Sequence, residues 1–158
     1  MGHVAAVITV SDGVSAGERE DGSGEALDEM LVSAGYRVVR ALVPDEADQI
    51  SDAILTACET SDLVVTTGGT GFGLRDVTPE ATEAVLERRA PGLVHAMLAR
   101  GIAATPLAAL TRATAGSVGG TLVVNLPGSP RGATENLEAI IEILPHALEL
   151  LGGDNRHH

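Results

Sequence analysis

LVVTTGGTGFGLRDVTPEAT, residues 63–82, starts as an apolar, β-branched run and passes directly into a glycine cluster. Residues 63–66 have the length and composition of a short buried strand. Gly68, Gly69 and Gly71 lack a Cβ, so the backbone there can turn sharply and let an anion come close. Thr78, Pro79 and Glu80 then read as the N-cap and first two positions of a helix, because the fixed φ of proline suits a first turn. A buried strand that ends in a glycine loop and restarts as a helix is the building unit of a parallel sheet.

Working outward, the same order recurs. Residues 3–10 form an apolar run that reads as a strand buried on both faces. Residues 11–24 are a polar loop. Residues 25–34 set Ala26, Leu27, Met30 and Leu31 at helical spacing, and Gly35 closes that helix as a C′ residue. Residues 36–43 are strand-like, and Asp45 opens a second helix with Ile50, Ile54, Leu55 and Cys58 on its apolar side. Downstream, residues 79–88 and 92–100 read as helices. Residues 111–120 read as a strand with a turn at Gly119-Gly120, and residues 121–125 as a further buried strand. Residues 131–151 form one amphipathic helix that Pro145 should kink. The expected fold is α/β, a three-layer α/β/α arrangement around a mostly parallel central sheet. It is a single domain over residues 1–151 with a flexible tail over 152–158.

Bulk composition narrows the function. The chain has 158 residues, 44% of them hydrophobic, enough for an ordinary core. No apolar run reaches the ~20 residues a membrane helix needs, and the N-terminus carries no signal-peptide pattern. The single cysteine, Cys58, excludes an internal disulfide and a cysteine zinc cluster, and a cytoplasmic setting is expected. The net charge of -12 disfavours nucleic acid and anionic membranes as partners. With no Trp, one Tyr and one Phe, the chain has no stacking platform for single strands. An anionic ligand must therefore be held locally, by backbone N–H groups, helix N-termini, a few arginines or a divalent metal.

Open parallel sheets bind ligands where strands end and helices begin. Three such crossings carry special residues: Ser11-Asp12-Gly13, the glycine loop Gly68-Gly69-Thr70-Gly71 and the turn Asn125-Leu126-Pro127-Gly128-Ser129-Pro130. All three should open on one edge of the sheet. The glycine loop has neither the Gly-Lys-Ser/Thr of a P-loop nor the spacing of a dinucleotide fingerprint, so by itself it is equally a tight turn. Asp76, next to Arg75, is the more telling residue. A carboxylate beside an anion-binding loop adds repulsion unless it holds Mg²⁺ or orients a nucleophile. Asp45 has the same two uses or is simply a helix N-cap. Arg112 and Arg131 offer charge to the pocket or are surface residues. No nucleophile elbow for a hydrolase triad is present.

TTGGTG, RDVTPEAT, LTRATAG and NLPGSP together resemble the molybdopterin-binding family of molybdenum cofactor biosynthesis, above all its single-domain molybdopterin adenylyltransferases. The resemblance runs from SDGVSAG to the last helix. It implies transfer of AMP from Mg-ATP to the terminal phosphate of molybdopterin, with release of pyrophosphate. It implies that Asp45 and Asp76 are the essential carboxylates, catalytic and Mg²⁺-placing, and that Gly68, Gly69, Thr70 and Gly71 cradle phosphate. Thr111 and Arg112 stand where the family has Ser-Arg in the pocket, the threonine keeping the hydroxyl. Ser11, Asp12, Arg75, Pro127, Gly128 and Ser129 would complete the substrate- and nucleotide-binding walls. A homo-oligomer, usually a trimer, is implied as well. Two other readings stay open: a non-catalytic molybdopterin-binding paralogue, and a nucleotide hydrolase like the related domains of competence-type proteins.

Overall fold

The structure, a computed structural model, describes residues 2–152; of the tail expected over 152–158, residues 153–158 lie outside the described residues. The strands are β1 (Val4–Val10), β2 (Arg37–Val43), β3 (Leu63–Thr67), β4 (Arg88–Arg89), β5 (Ala115–Val118) and β6 (Thr121–Leu126). They form one sheet in the order β2-β1-β3-β6-β5-β4. The first four in that order run parallel, while β5 is antiparallel to both β6 and β4. The helices are α1 (Asp12–Ser15), α2 (Gly22–Ser33), α3 (Ala47–Cys58), α4 (Thr78–Glu83), α5 (Pro91–Ala104), α6 (Pro130–Ile140) and α7 (Leu144–Leu151). The expected three-layer α/β/α fold with a mostly parallel sheet is the fold observed.

The period-two alternation of the strands builds two cores. Ala5 and Val7 of β1, with Leu63 and Val65 of β3, face Leu27, Leu31, Met97, Leu137 and Leu148 from α2, α5, α6 and α7. Ala6, Ile8 and Val10, with Val64 and Val123, face Ile50 and Ile54 of α3 and Ala81 of α4. β1 lies between β2 and β3, so the chain crosses to one side after β1 and back past it after β2. That reversal leaves a crevice at the carboxyl ends of β1 and β3, where open α/β sheets bind ligands.

Several boundaries differ from expectation for identifiable reasons. The polar stretch 11–24 is not one loop. Ser11 caps α1 by accepting from Val14 N at 3.2 Å, and Asp21 caps α2 by accepting from Gly24 N at 3.0 Å. The caps offset the poor helix propensity of the glycines. The helix expected over 79–88 stops at Glu83, because Arg88 and Arg89 find strand partners in Ser117 and Gly116. The final helix is broken rather than kinked. It ends at Ile140 and restarts at Leu144, with Pro145 in the first turn of α7, where its missing N–H costs no bond. Leu55 is exposed, since the apolar side of α3 is carried by Ile50, Ile54, Ala53, Ala57 and half-buried Cys58.

Candidate functional site

β1, β3 and β6 end side by side, Thr9 opposite Thr67 and Thr67 opposite Leu126, so the three loaded crossings do meet on one edge. The glycine loop is fixed between them. Gly68 has φ +105° and donates its N–H to Leu126 O at 3.1 Å, and a methyl group on it would overlap Val10 O. Gly69 has φ +71°, and a methyl group there would overlap Thr78 Oγ1 and press on Asp45 Oδ1. Thr78 is not the N-cap of α4. Its hydroxyl donates to Gly68 O at 2.9 Å and its N–H to Gly69 O at 3.1 Å, tying the helix start to the loop, and Val77 takes the cap position.

The main cleft here has a volume of about 580 Å³. Of the residues expected from sequence it takes Ser11, Gly68, Gly69, Asp45, Asp76, Gly128 and Ser129. A smaller, more apolar cleft of about 200 Å³ lies beside it and takes Thr70, Gly71, Thr111 and Pro127, together with Met97 and Asn136. Asp12, Arg75 and Arg112 line neither cleft.

The two aspartates differ in surroundings. Asp45 is not a helix cap. It exchanges bonds with Asp12: Asp12 N donates to Asp45 Oδ2 at 2.9 Å, and Asp45 N donates to Asp12 Oδ1 at 2.9 Å. Arg75 grips Asp12 with two bonds of 3.0 Å and reaches Glu46 at 3.0 Å. The Arg75 pairing holds the Asp12 carboxyl below the usual range and keeps Arg75 firmly protonated. Burial pushes the Asp45 carboxyl up, and the like charges of Asp12 and Asp76 add to the rise. Asp76 accepts Gly73 N–H on Oδ2 at 2.8 Å. Among the described residues nothing donates to Asp45 Oδ1 or Asp76 Oδ1. Two electrically coupled carboxylates, each with an open oxygen on one cleft, are a donor set that suits a hard divalent cation. No group of three or more His, Cys, Asp or Glu gathers at ligand spacing among the described residues. Such a set fits Mg²⁺, which usually takes one or two carboxylates plus substrate phosphates.

Sequence reasoning missed part of the wall. Thr9, Arg19, Asp21 and Ser23 also line the main cleft, with Gly22 at the start of α2. Thr67 donates to Pro127 O at 2.6 Å and sits 3.0 Å from Ser23 Oγ, which binds the α2 start to the third crossing. The signal was present: Asp21-Gly22-Ser23-Gly24 is a capping residue followed by glycines at a helix start. The N-termini of α2 and α6 therefore both face the cleft, the second capped by Ser129, which accepts from Gly132 N at 3.1 Å. Their N–H groups favour negative charge. The site can thus hold a polyanion on glycine backbone and helix ends, with Asp45 and Asp76 able to place a metal and Glu20 and Asp21 adding negative charge to the lining.

One family model and three known proteins are similar to this chain, by sequence or by fold. The family model described as "Probable molybdopterin binding domain" matches residues 6–146. A molybdopterin adenylyltransferase of Helicobacter pylori is 39% identical over 153 residues, covering 94% of this chain and 87% of that protein. The crystal structure of the molybdopterin biosynthesis enzyme MoaB from Thermus thermophilus superposes with a TM-score of 0.89 at 46% identity, covering 96% of this chain and 98% of that one. The molybdopterin biosynthesis Mog protein of Mycobacterium ulcerans gives a TM-score of 0.90 at 35% identity, over 95% and 99%.

Proposed function

The chain belongs to the molybdopterin-binding domain family, and from that premise we propose that it is a molybdopterin adenylyltransferase of molybdenum cofactor biosynthesis. The observation that carries the reading is the pairing, on one cleft, of the open oxygens of Asp45 and Asp76 with a glycine loop and two helix N-termini. A terminal phosphate oxygen of molybdopterin attacks the α-phosphorus of ATP. The new P–O bond forms as the bond to the bridging oxygen of the β-phosphate breaks, and pyrophosphate leaves. That nucleophile is already ionised near neutral pH, so no strong base is required.

The protein's part is positioning and charge placement. Gly68 and Gly69 let phosphate approach the backbone, and the starts of α2 and α6 direct N–H groups at it. Asp45 and Asp76 are the carboxylates that would hold Mg²⁺, which supplies the positive charge that a chain of net charge -12 lacks. Thr111 lines the smaller cleft, and its hydroxyl accepts the Ala113 N–H at 3.2 Å. We assign the protein a cytoplasmic setting and a homotrimeric state. The first goes with the biosynthetic enzymes to which the chain is similar. The number three rests on the resemblance alone, and the exposure of Leu107, Leu110 and Ile102 at one end of α5 and the 3-10 turn after it leaves apolar surface for a subunit contact.

Incubation with molybdopterin and Mg-ATP should yield adenylyl-molybdopterin and pyrophosphate in equal amounts. Asp76→Asn should lower turnover on the order of 10²-fold or more while leaving the fold intact. Full activity in that variant would remove Asp76 from the reaction. Molybdopterin binding without AMP transfer would make the protein a binding-only member of the family.

A further inference from the structure

We propose that Arg112 is a positioning residue that sets the shape of the glycine loop and through it the place of Asp76, rather than a substrate contact. The inference rests on the adenylyltransferase reading for its kinetic part. Arg112 approaches the loop from the strand-leading segment after the 3-10 turn, and each of its four nitrogens bonds to the loop or to the helix that follows. Its N–H donates to Thr70 O at 2.8 Å. Its Nε donates to Gly71 O at 2.7 Å and its Nη2 to Asp76 O at 2.8 Å. Its Nη1 is paired with Glu80 in the first turn of α4, and its guanidinium lies 5.4 Å from the centre of the Phe72 ring.

The pattern closes the loop. Gly71 O and Asp76 O sit at the two ends of a six-residue excursion, and one rigid, planar fork binds both. Inside that ring, Asp76 N donates to Gly73 O at 3.0 Å and Gly73 N donates to Asp76 Oδ2 at 2.8 Å. Asp76, which lines the cleft, is thus held at its N–H, its carbonyl and one carboxylate oxygen, while Oδ1 takes no hydrogen bond among the described residues. The loop cannot provide this order alone. It contains Gly71 and Gly73, its Phe72 is 73% exposed, and Leu74 is fully exposed, so no apolar packing fixes its tip. Lysine cannot replace the fork, since a single ammonium on a flexible stem cannot bond two carbonyls in one plane.

A substrate-contacting arginine and a loop-positioning one predict different kinetics. Misplacing a metal-holding carboxylate by about 1 Å is worth on the order of 10²-fold in turnover. Arg112→Lys should therefore lower kcat by roughly 10- to 100-fold. The Mg²⁺ concentration for half-activity should rise several-fold, while KM for ATP and for molybdopterin stays within about twofold. Independently of activity, amide hydrogen exchange at Gly73 and Asp76 should quicken at least tenfold in Arg112→Lys while the β1 and β3 amides keep their protection. Glu80→Gln, which spares the fork, should show the same signature more weakly. A rise in either KM with kcat unchanged would overturn the proposal in favour of substrate contact. Unaltered exchange at Gly73 and Asp76 would overturn it whatever the activity. If the wild-type protein makes no adenylyl-molybdopterin, the function reading fails, and the exchange result still decides the loop claim.

Discussion

At the scale of single residues, Asp45 shows what the site costs the fold. Burial, with the charges of Asp12 and Asp76 behind it, raises its folded pKa above the unfolded value. An acid shifted that way binds its proton more tightly when folded. Stability therefore falls as pH rises between the unfolded and folded values, and the deficit persists at every higher pH. Asp12 runs the opposite way: its lowered pKa adds stability above the unfolded value, lost as pH falls through the folded one. Asp45→Asn keeps a carbonyl oxygen for the Asp12 N–H. It should melt at or above the wild-type temperature at pH 7, with the advantage vanishing near pH 3, while turnover drops on the order of 10²-fold. Thermal melts at both pH values check this; a clear fall in Tm at pH 7 would contradict it. Gly69 is governed by geometry instead. Gly69→Ala must adopt a left-handed φ and push Thr78 aside, so it should lose more than about 1 kcal/mol in urea unfolding. It should also disturb Asp45 Oδ1. Legibility at this scale divided by kind of signal. The meeting of Asp45, Asp76, Gly68 and Gly69 on one cleft was readable, because the loops after successive parallel strands open on the same edge. Partners were not readable. Nothing in the string shows that Arg75 grips Asp12, 63 residues earlier in the chain, or that Arg112 binds Asp76 O across 36.

At the scale of elements, strands were easier to read than helix boundaries. β1, β3 and β6 are apolar runs that only a sheet buried on both faces accepts, so their sequence alone identifies them. Short helices depend on caps and on what competes for the next residues. α1 and the start of α2 exist because Ser11 and Asp21 satisfy free N–H groups within a glycine-rich stretch that otherwise reads as loop. β4 exists because β5 offers an edge, a tertiary fact absent from Arg88-Arg89 itself. The break between α6 and α7 follows from Pro145, whose ring is disfavoured inside a helix yet suits a first turn. Its consequence is testable. Pro145→Ala should change stability by less than about 1 kcal/mol, since no interior helical bond is at stake, whereas Ser129→Ala should cost about 1 kcal/mol by removing the α6 cap. Urea midpoints of the two variants should rank in that order. The Ser129 variant should also bind the polyanion less well, because the cap holds the α6 start against the cleft.

At the scale of the whole molecule, the charge balance and the ligand are opposed. A net charge of -12 creates a field that repels ATP and any phosphorylated pterin on approach. Attraction is confined to short range within the cleft, where glycine backbone, two helix starts and the Arg19 side chain stand among the carboxylates of Glu20, Asp21, Asp45 and Asp76. The arginines nearest the glycine loop do not relieve the repulsion, since Arg75 is committed to Asp12 and Glu46, and Arg112 to the loop and Glu80. Long-range and short-range electrostatics should therefore respond to salt in opposite directions. Added monovalent salt screens charges separated by more than about 10 Å at 0.1 M, and it weakens close, partly enclosed contacts much less. For an enzyme that steers its anionic substrate with a basic surface, kcat/KM falls steeply with ionic strength. Here the screened part is repulsive. With Mg-ATP and free Mg²⁺ held constant, raising salt from about 10 to about 150 mM should leave kcat/KM for ATP level or raise it up to a fewfold. A steep fall over that range would contradict this, and would mean that a local patch of arginines guides the substrate in despite the net charge of -12.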